Sequence, residues 1–252
     1  MPILEYKDIA MCYHMPTGET EVLKDFSLSV AKGEFIALVG PSGCGKSTLL
    51  SLAAGLLSPD AGEVLYRGAK ITAPLRNMGY MLQKDELFPW LTVMDNCMLG
   101  LKVRGEDDKE HRQYVEMLLE NCAISTFKNN FPSELSGGMR QRAALVRTLA
   151  VRPDFLLLDE PFSALDAQTR VKLADELSQT IKGHTAATLL VTHDIAEAVS
   201  LATRVIVLSR RPALIKTQVN IDIPGFALQR RGDSRFKEYF EEIWKQVDVH
   251  VE

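Results

Sequence analysis

Gly40-Pro41-Ser42-Gly43-Cys44-Gly45-Lys46-Ser47-Thr48 decides how this chain is read. The apolar run Phe35-Ile36-Ala37-Leu38-Val39 precedes it, and Leu49-Leu50-Ser51-Leu52-Ala53-Ala54 follows. These stretches predict strand, glycine-rich loop and helix, and the G-x-x-x-x-G-K-S spacing is that of a phosphate-binding loop. A polyphosphate needs many donors at short range, and side chains would block the approach. Gly40, Gly43 and Gly45 let the backbone curl so that several N–H groups point inward. The helix that begins near Lys46 offers its positive end to the same anion. Lys46 adds a mobile cation for the outer phosphates, and the Ser47 hydroxyl is placed to ligate Mg²⁺.

The whole chain sets bounds around this loop. Its 252 residues suit one large domain or two intimate subdomains. With 46% apolar and 25% charged residues, its composition is that of an ordinary globular protein. A net charge of −4 makes no electrostatic case for nucleic acid. The amino-terminal residues carry no basic-then-apolar signal pattern, and no apolar run approaches the ~18–20 residues of a membrane span. The chain is expected to be soluble, with any membrane role supplied by a partner. Cys12, Cys44, Cys97 and Cys122 show neither metal spacing nor a disulfide framework, which suits a reducing cytoplasm.

Upstream of the loop, residues 3–9 and 26–30 read as strands, with Phe26, Leu28 and Val30 alternating against polar neighbours. Residues 14–20 read as a turn-rich loop. Tyr13, just before it, is either a half-buried strand aromatic or a stacking platform for a purine. Downstream, residues 62–66 and 78–82 read as short strands, and Gln83 sits at the end of the second. Strand ends are where nucleotide sites lie in open α/β sheets. From 85 to 150 the pattern is helical. Residues 109–122 place Val115, Leu118, Leu119 and Cys122 on one face, with His111 off it. A second glycine motif, Leu135-Ser136-Gly137-Gly138-Met139-Arg140-Gln141-Arg142, opens a helix through Ala150. Ser136 suits an N-cap, and the glycines leave the helix end bare. The motif is either a capped helix start or a second anion site.

Phe155-Leu156-Leu157-Leu158 reads as a strand covered on both faces and ends in Asp159-Glu160. Paired acids at the end of a buried strand are costly unless used. Asp159 is placed as a second anchor for Mg²⁺. Glu160, on the opposite side if the chain stays extended, is placed as a general base for an attacking water. Ser163-Ala164-Leu165-Asp166 is a tight connection, and residues 168–182 form a helix. Thr188-Leu189-Leu190-Val191 is another buried strand, ending in Thr192-His193-Asp194 on the same sheet edge. His14, His184 and His250 lack such a context and are expected to be solvated. Residues 204–209 and 214–223 read as strand and edge strand, and 234–247 as a short amphipathic helix.

Together these motifs, in this order and spacing, resemble the ATP-binding subunit of ABC transporters across nearly the full length. The matching positions are the phosphate loop at 40–48, Gln83, the signature at 135–142, the strand 155–160, the connection 163–166 and His193. The Phe88-Pro89-Trp90-Leu91-Thr92 segment, the signature and the aromatic tail look most like the nitrate, sulfonate and taurine importer group. The resemblance implies an α/β fold. Its P-loop NTPase (RecA-like) core would span 1–84 and 151–222, with a small antiparallel β subdomain. An α-helical subdomain would be inserted at 85–150, and a short helical tail would follow at 223–252. It implies catalytic roles for Glu160, His193, Lys46 and Gln83, and Mg²⁺ held by Ser47, Gln83 and Asp159. ATP would meet Tyr13 and residues 40–48. Two subunits would pack head to tail, so that Ser136, Gly137 and Gly138, with Asp166, close the other subunit's site. The implied partners are a second nucleotide-binding subunit, membrane permease subunits and, indirectly, a substrate-binding protein. The implied place is the cytoplasmic face of the membrane.

One departure stands out. Many relatives carry Gln where Met139 stands, and a thioether is a weak substitute for an amide. Cys44 carries an expectation of its own, since a nearby lysine and a helix amino end would favour an oxidant-sensitive thiolate. The bland alternative is a small residue tolerated in a loop. DNA-repair relatives carry long heptad insertions and translation relatives two nucleotide domains; neither fits this chain. A cell-division type of ATPase stays open.

Overall fold

Alternating apolar residues give a strand one face to bury. The computed structural model describes residues 2–16, 18–182 and 187–247. In it, β1 (Pro2–Met15) and β2 (Gly18–Ala31) pair antiparallel from Leu4↔Val30 to Met15↔Gly18. The expected strands are therefore the base of a longer hairpin, and most of the expected loop at 14–20 is ladder. Register shifts beside Ile9 and Met11, with left-handed φ at Asp8 (50°) and Asp25 (46°), break the alternation that periodicity relies on. The chain then enters β3 (Phe35–Val39), the phosphate-binding loop and α1 (Lys46–Ala53). β4 (Ala61–Tyr66) and the two-residue β5 (Ala69–Lys70) return to the hairpin, giving an antiparallel sheet of order β2-β1-β4-β5.

A second sheet follows. β6 (Met78–Met81) precedes three helices, α2 (Val93–Arg104), α3 (Lys109–Asn121) and α4 (Gly137–Ala150). β7 (Phe155–Asp159), α5 (Ala167–Lys182), β8 (Ala187–Val191), α6 (Ile195–Leu201), β9 (Arg204–Leu208) and β10 (Ile215–Asn220) come next. The order is β10-β9-β3-β8-β7-β6, parallel except for β10 at the edge. α7 (Ala227–Arg231) and α8 (Arg235–Gln246) end the described chain.

The unbroken apolar runs acquire a cause here. Phe35, Ala37 and Val39 face one core with α2–α6, while Ile36 and Leu38 face another with α1 and the hairpin. β7 splits the same way, Leu156 and Leu158 against Phe155 and Leu157. Both faces are dry, so no polar alternation is possible. Tyr6 seals the second core by donating its buried hydroxyl to Leu49 O at 2.8 Å. Caps set the helix starts: Thr92, Asp108 and Ser136 accept from Asp95 N, His111 N and Met139 N. His111 is not simply solvated, because its Nδ1 lies 2.9 Å from Asp108 Oδ2. His14 is exposed, with Nδ1 3.1 Å from Glu19, and His184 and His250 lie outside the described residues. The five residues of α7 and seven of α6 are too short to show a helical period. Among the described residues, no helix is long and apolar enough to cross a membrane.

Candidate functional site

Parallel strands bring their carboxyl ends to one edge, and β3, β6, β7 and β8 each deliver a polar group there. The result is a cleft of about 270 Å³. Ser42, Gly43, Gly45, Lys46, Ser47 and Thr48 form its floor, Gln83 and Glu160 one wall, and Tyr13 and Val22 the other. Gly45 caps α1 with φ 124°, and a Cβ there would lie 2.8 Å from Val22 Cγ1. Only glycine allows both that backbone and that approach. Gly40, Pro41 and Cys44 stand behind the floor. Gly40 and Pro41 give their carbonyls to the Lys46 ammonium at 2.7 and 2.8 Å. Cys44 is 2% exposed, which closes the access that oxidant sensitivity requires.

Tyr13 lies on the cleft rim, its hydroxyl 3.2 Å from Thr48 Oγ1. The Ser47 hydroxyl hydrogen-bonds to Asp159. Asp159 is 4% exposed and forms no ion pair among the described residues. Burial pushes its pKa up; the Ser47 bond and Lys46 pull it down, and Glu160 adds repulsion. A buried carboxylate beside a hydroxyl and a nearby amide is a hard oxygen set that suits Mg²⁺.

Glu160 departs from the extended geometry expected of it. Its φ is +47°, a left-handed turn costly for a residue with a side chain. Glu160 N donates to Val191 O at 2.9 Å, and its carbonyl accepts from Ser163 N at 3.2 Å. The turn still delivers the carboxylate to the cleft, between Gln83 Nε2 at 3.4 Å and His193 Nδ1 at 3.3 Å. His193 is 60% exposed in its side chain and so remains open on its outer side.

The second glycine motif is not brought to this cleft. Ser136 caps α4, and Gly137 faces a neighbouring depression with Arg140 and Ala164, which shares Gln83 with the cleft. A Cβ at Gly138 would lie 2.9 Å from Leu165 Cδ2. Asp166 also stands apart: its Oδ1 accepts from Gln168 N and Thr169 N at 3.1 and 3.0 Å. The Thr169 side chain first, then the Thr169 and Gln168 N–H groups, hold its carboxyl below the usual range. Met139 packs half-buried against the helical core.

Several residues that matter have no role legible in the sequence, among them Gln141 within the second glycine motif. Gln141 is 4% exposed, donates to Glu160 O at 3.1 Å and accepts from Ala164 N at 2.9 Å. It ties the α4 start to the Glu160 turn. Asn96, fully buried, holds the Phe88–Thr92 turn through bonds to Phe88, Leu91 and Thr92. Phe88 and Trp90 stay exposed, ring centroids 5.3 Å apart. Behind His193, Glu197 accepts from Thr192 Oγ1 at 2.6 Å and faces Arg170 at 3.5 Å. A polar residue inside an apolar helical face is the available signal for Asn96 and Gln141. Cys12, His14 and Glu19 place ligand atoms within 4.8 Å of one another on the hairpin, a grouping their spacing in sequence hides.

Residues 23–163 match the family model described as ABC transporter. An uncharacterized ABC transporter ATP-binding protein, YtlC of Bacillus subtilis, is 40% identical over 98% of this chain and 96% of its own. The nitrate import ATP-binding protein NrtD of Synechocystis is 41% identical over 88% and 84%. Among solved structures, the ATP-binding cassette MJ0796, a dimer in a post-hydrolysis state bound to ADP and Pi, superposes with TM-score 0.79. It is 30% identical and covers 88% of this chain and 100% of its own. With that family match and that cleft, this chain belongs to the ABC transporter family, as one of its ATP-binding subunits.

Proposed function

We propose that this chain hydrolyses ATP in pairs, each cleft being completed by the second subunit, and so drives an importer for a small anion such as nitrate, a sulfonate or taurine. One observation carries the paired reading. The cleft gathers the phosphate loop, Gln83, Glu160 and the His193 contact, while none of Ser136, Gly137 and Gly138 lines it and Gly137 opens on the depression beyond Gln83. Head-to-tail pairing puts the second motif of one subunit over the loop of the other. The bare start of α4 then meets the γ-phosphate.

The residues divide the work. Loop N–H groups and Lys46 bind the outer phosphates, the Lys46 ammonium turning from its long contact to Cys44 Sγ at 4.0 Å while the Gly40 and Pro41 carbonyls hold it in the loop. Ser47, Asp159 and Gln83 would hold Mg²⁺, which supplies charge neutralisation at the phosphates. Glu160 orients water and takes its proton, while Gln83 and His193 position the carboxylate. Tyr13 stacks on the adenine. Asp166, as the α5 cap, shapes the turn that faces the second subunit. Residues 85–150 serve as the signature-bearing subdomain, and exposed Phe88 and Trp90 offer a contact for a permease at the cytoplasmic face of the membrane. A substrate-binding protein would act upstream of that permease. The anion class rests on resemblance to NrtD.

Complementation tests the pairing. Lys46→Ala keeps an intact second motif, and Ser136→Ala keeps an intact loop. Mixed, the two impaired chains form one complete site per heterodimer and hydrolyse faster than either alone. A mixture no faster than its components places each site within one subunit and overturns the proposal. Anion-stimulated hydrolysis with the native permease and binding protein tests the cargo class.

A further inference from the structure

The loop has a neighbour that its own motif does not include. β9 runs parallel to β3, so the turn after it emerges beside the phosphate loop. That turn is anchored on two sides. A Cβ at Gly40 would lie 3.1 Å from Leu208, and Ala213 N donates to Val22 O at 2.8 Å. Between these anchors, Arg211 is set over the loop's crown. A Cβ at Gly43, where φ is 72°, would lie 2.7 Å from Arg211 Nη2. Arg211 thus lines the cleft with Ser42 and Lys46, and lines a second depression behind the loop with Arg210.

Its charge is uncommitted. Arg140, Arg170 and Arg204 each pair with a carboxylate, whereas no ion pair or hydrogen bond engages Arg211 among the described residues. The cleft is short of cations. Two of the three Lys46 donors go to loop carbonyls, and the nearby acids Asp159 and Glu160 oppose an incoming anion. A guanidinium presents a planar fork of donors matched to phosphate oxygens.

We propose that Arg211 is a further phosphate ligand of the bound nucleotide, reaching it across Gly43 from the β9–β10 turn. This rests on the reading of the cleft as the nucleotide site. A side chain at position 43 would push the end of the flexible Arg211 side chain aside, while the φ of 72° is what favours glycine there.

Calorimetry on the full chain tests it, with Mg²⁺-ADP and a Mg²⁺-bound nonhydrolysable ATP analogue as probes. Arg211→Ala should weaken the analogue about five- to twentyfold, the loss of one partly exposed charge-assisted contact. Arg211→Lys, which keeps the charge, should recover most of that. Arg210→Ala, which changes the other cation of the turn, should stay within about twofold. Thermal unfolding of Arg211→Ala should match the parent, separating a ligand from a structural brace. Unchanged or tighter binding by Arg211→Ala, with Lys46→Ala crippled, overturns the Arg211 assignment and leaves the cleft reading standing. If Lys46→Ala also binds like the parent, the cleft reading itself falls.

Discussion

The two glycine motifs of this chain begin helices in the same way and end in opposite situations. The first lies at the edge of a parallel sheet, where its own lysine is tethered to loop carbonyls and neighbouring strands bring two acids and a histidine. The second lies at the start of α4, capped by its own serine, and touches the first site where Gln141 donates to the Glu160 carbonyl. A helix amino end becomes an anion site when something else supplies the remaining ligands. At 40–48 the sheet supplies them. At 135–142 the proposed pairing would supply them from another molecule.

The largest expected effect breaks the first site while leaving both motifs in place. Glu160→Gln removes the base and keeps the shape. Turnover should fall about a thousandfold, within the range of a lost general base. ATP affinity should stay near the parental value, and a closed dimer should accumulate on size-exclusion chromatography. Parental turnover would show that Glu160 is not the base.

The residues behind that expectation are legible in the sequence alone, and the reason is topological. Lys46, Asp159, Glu160 and His193 each sit close to the end of an apolar run, so each run's strand carries its residue to the shared edge. The contacts of Gln141, within its motif, and of Arg211, outside any, are not legible, because their neighbours lie 19 or more positions away, or across a sheet. Periodicity shows only the base of the hairpin, because irregularities at Asp8 and Asp25 erase a period of two. An extended Glu160 is the natural expectation at a strand end, whereas four hydrogen bonds of its backbone hold it in the left-handed region.

The next effect concerns the support behind the first site, which the second lacks. Burial raises the Glu197 pKa from 4.5 to about 7; the Thr192 bond and then Arg170 pull it down, while Asp194 raises it and His193 lowers it. The folded chain therefore holds a proton that the unfolded chain releases. Its contribution is fully present below about pH 4.5 and fades as pH rises through about 7. Stability should drop by on the order of 1–3 kcal/mol between pH 5 and pH 8 from this group. Urea titrations of Glu197→Gln should show a flatter pH profile over that window. An unchanged profile would remove Glu197 as its source.

Ser136→Ala then probes the second motif alone. Loss of the cap should cost about 1 kcal/mol of stability. ATP affinity of the dilute chain should not change, while hydrolysis should fall about tenfold through loss of a contact made across the pair. Weakened ATP binding at concentrations where the chain is monomeric would mean that the two motifs share a site within one subunit, against their separation in the fold.

The smallest effect separates two roles at one rim residue. Tyr13 offers an aromatic face and a hydroxyl 3.2 Å from Thr48 Oγ1. Its 37% exposure limits what either can contribute. Tyr13→Phe keeps the face and should bind ATP within about twofold of the parent, since an exposed neutral hydrogen bond contributes little. Tyr13→Ala should weaken ATP about fivefold, near the low end for a base stacked on an aromatic ring. The Thr48 contact holds the ring against the start of α1, so stacking depends on the hairpin and loop staying together. If Tyr13→Phe matched Tyr13→Ala, the hydroxyl would be the working part, and the hairpin would serve the cleft as a clamp on Thr48 instead of a platform for the base.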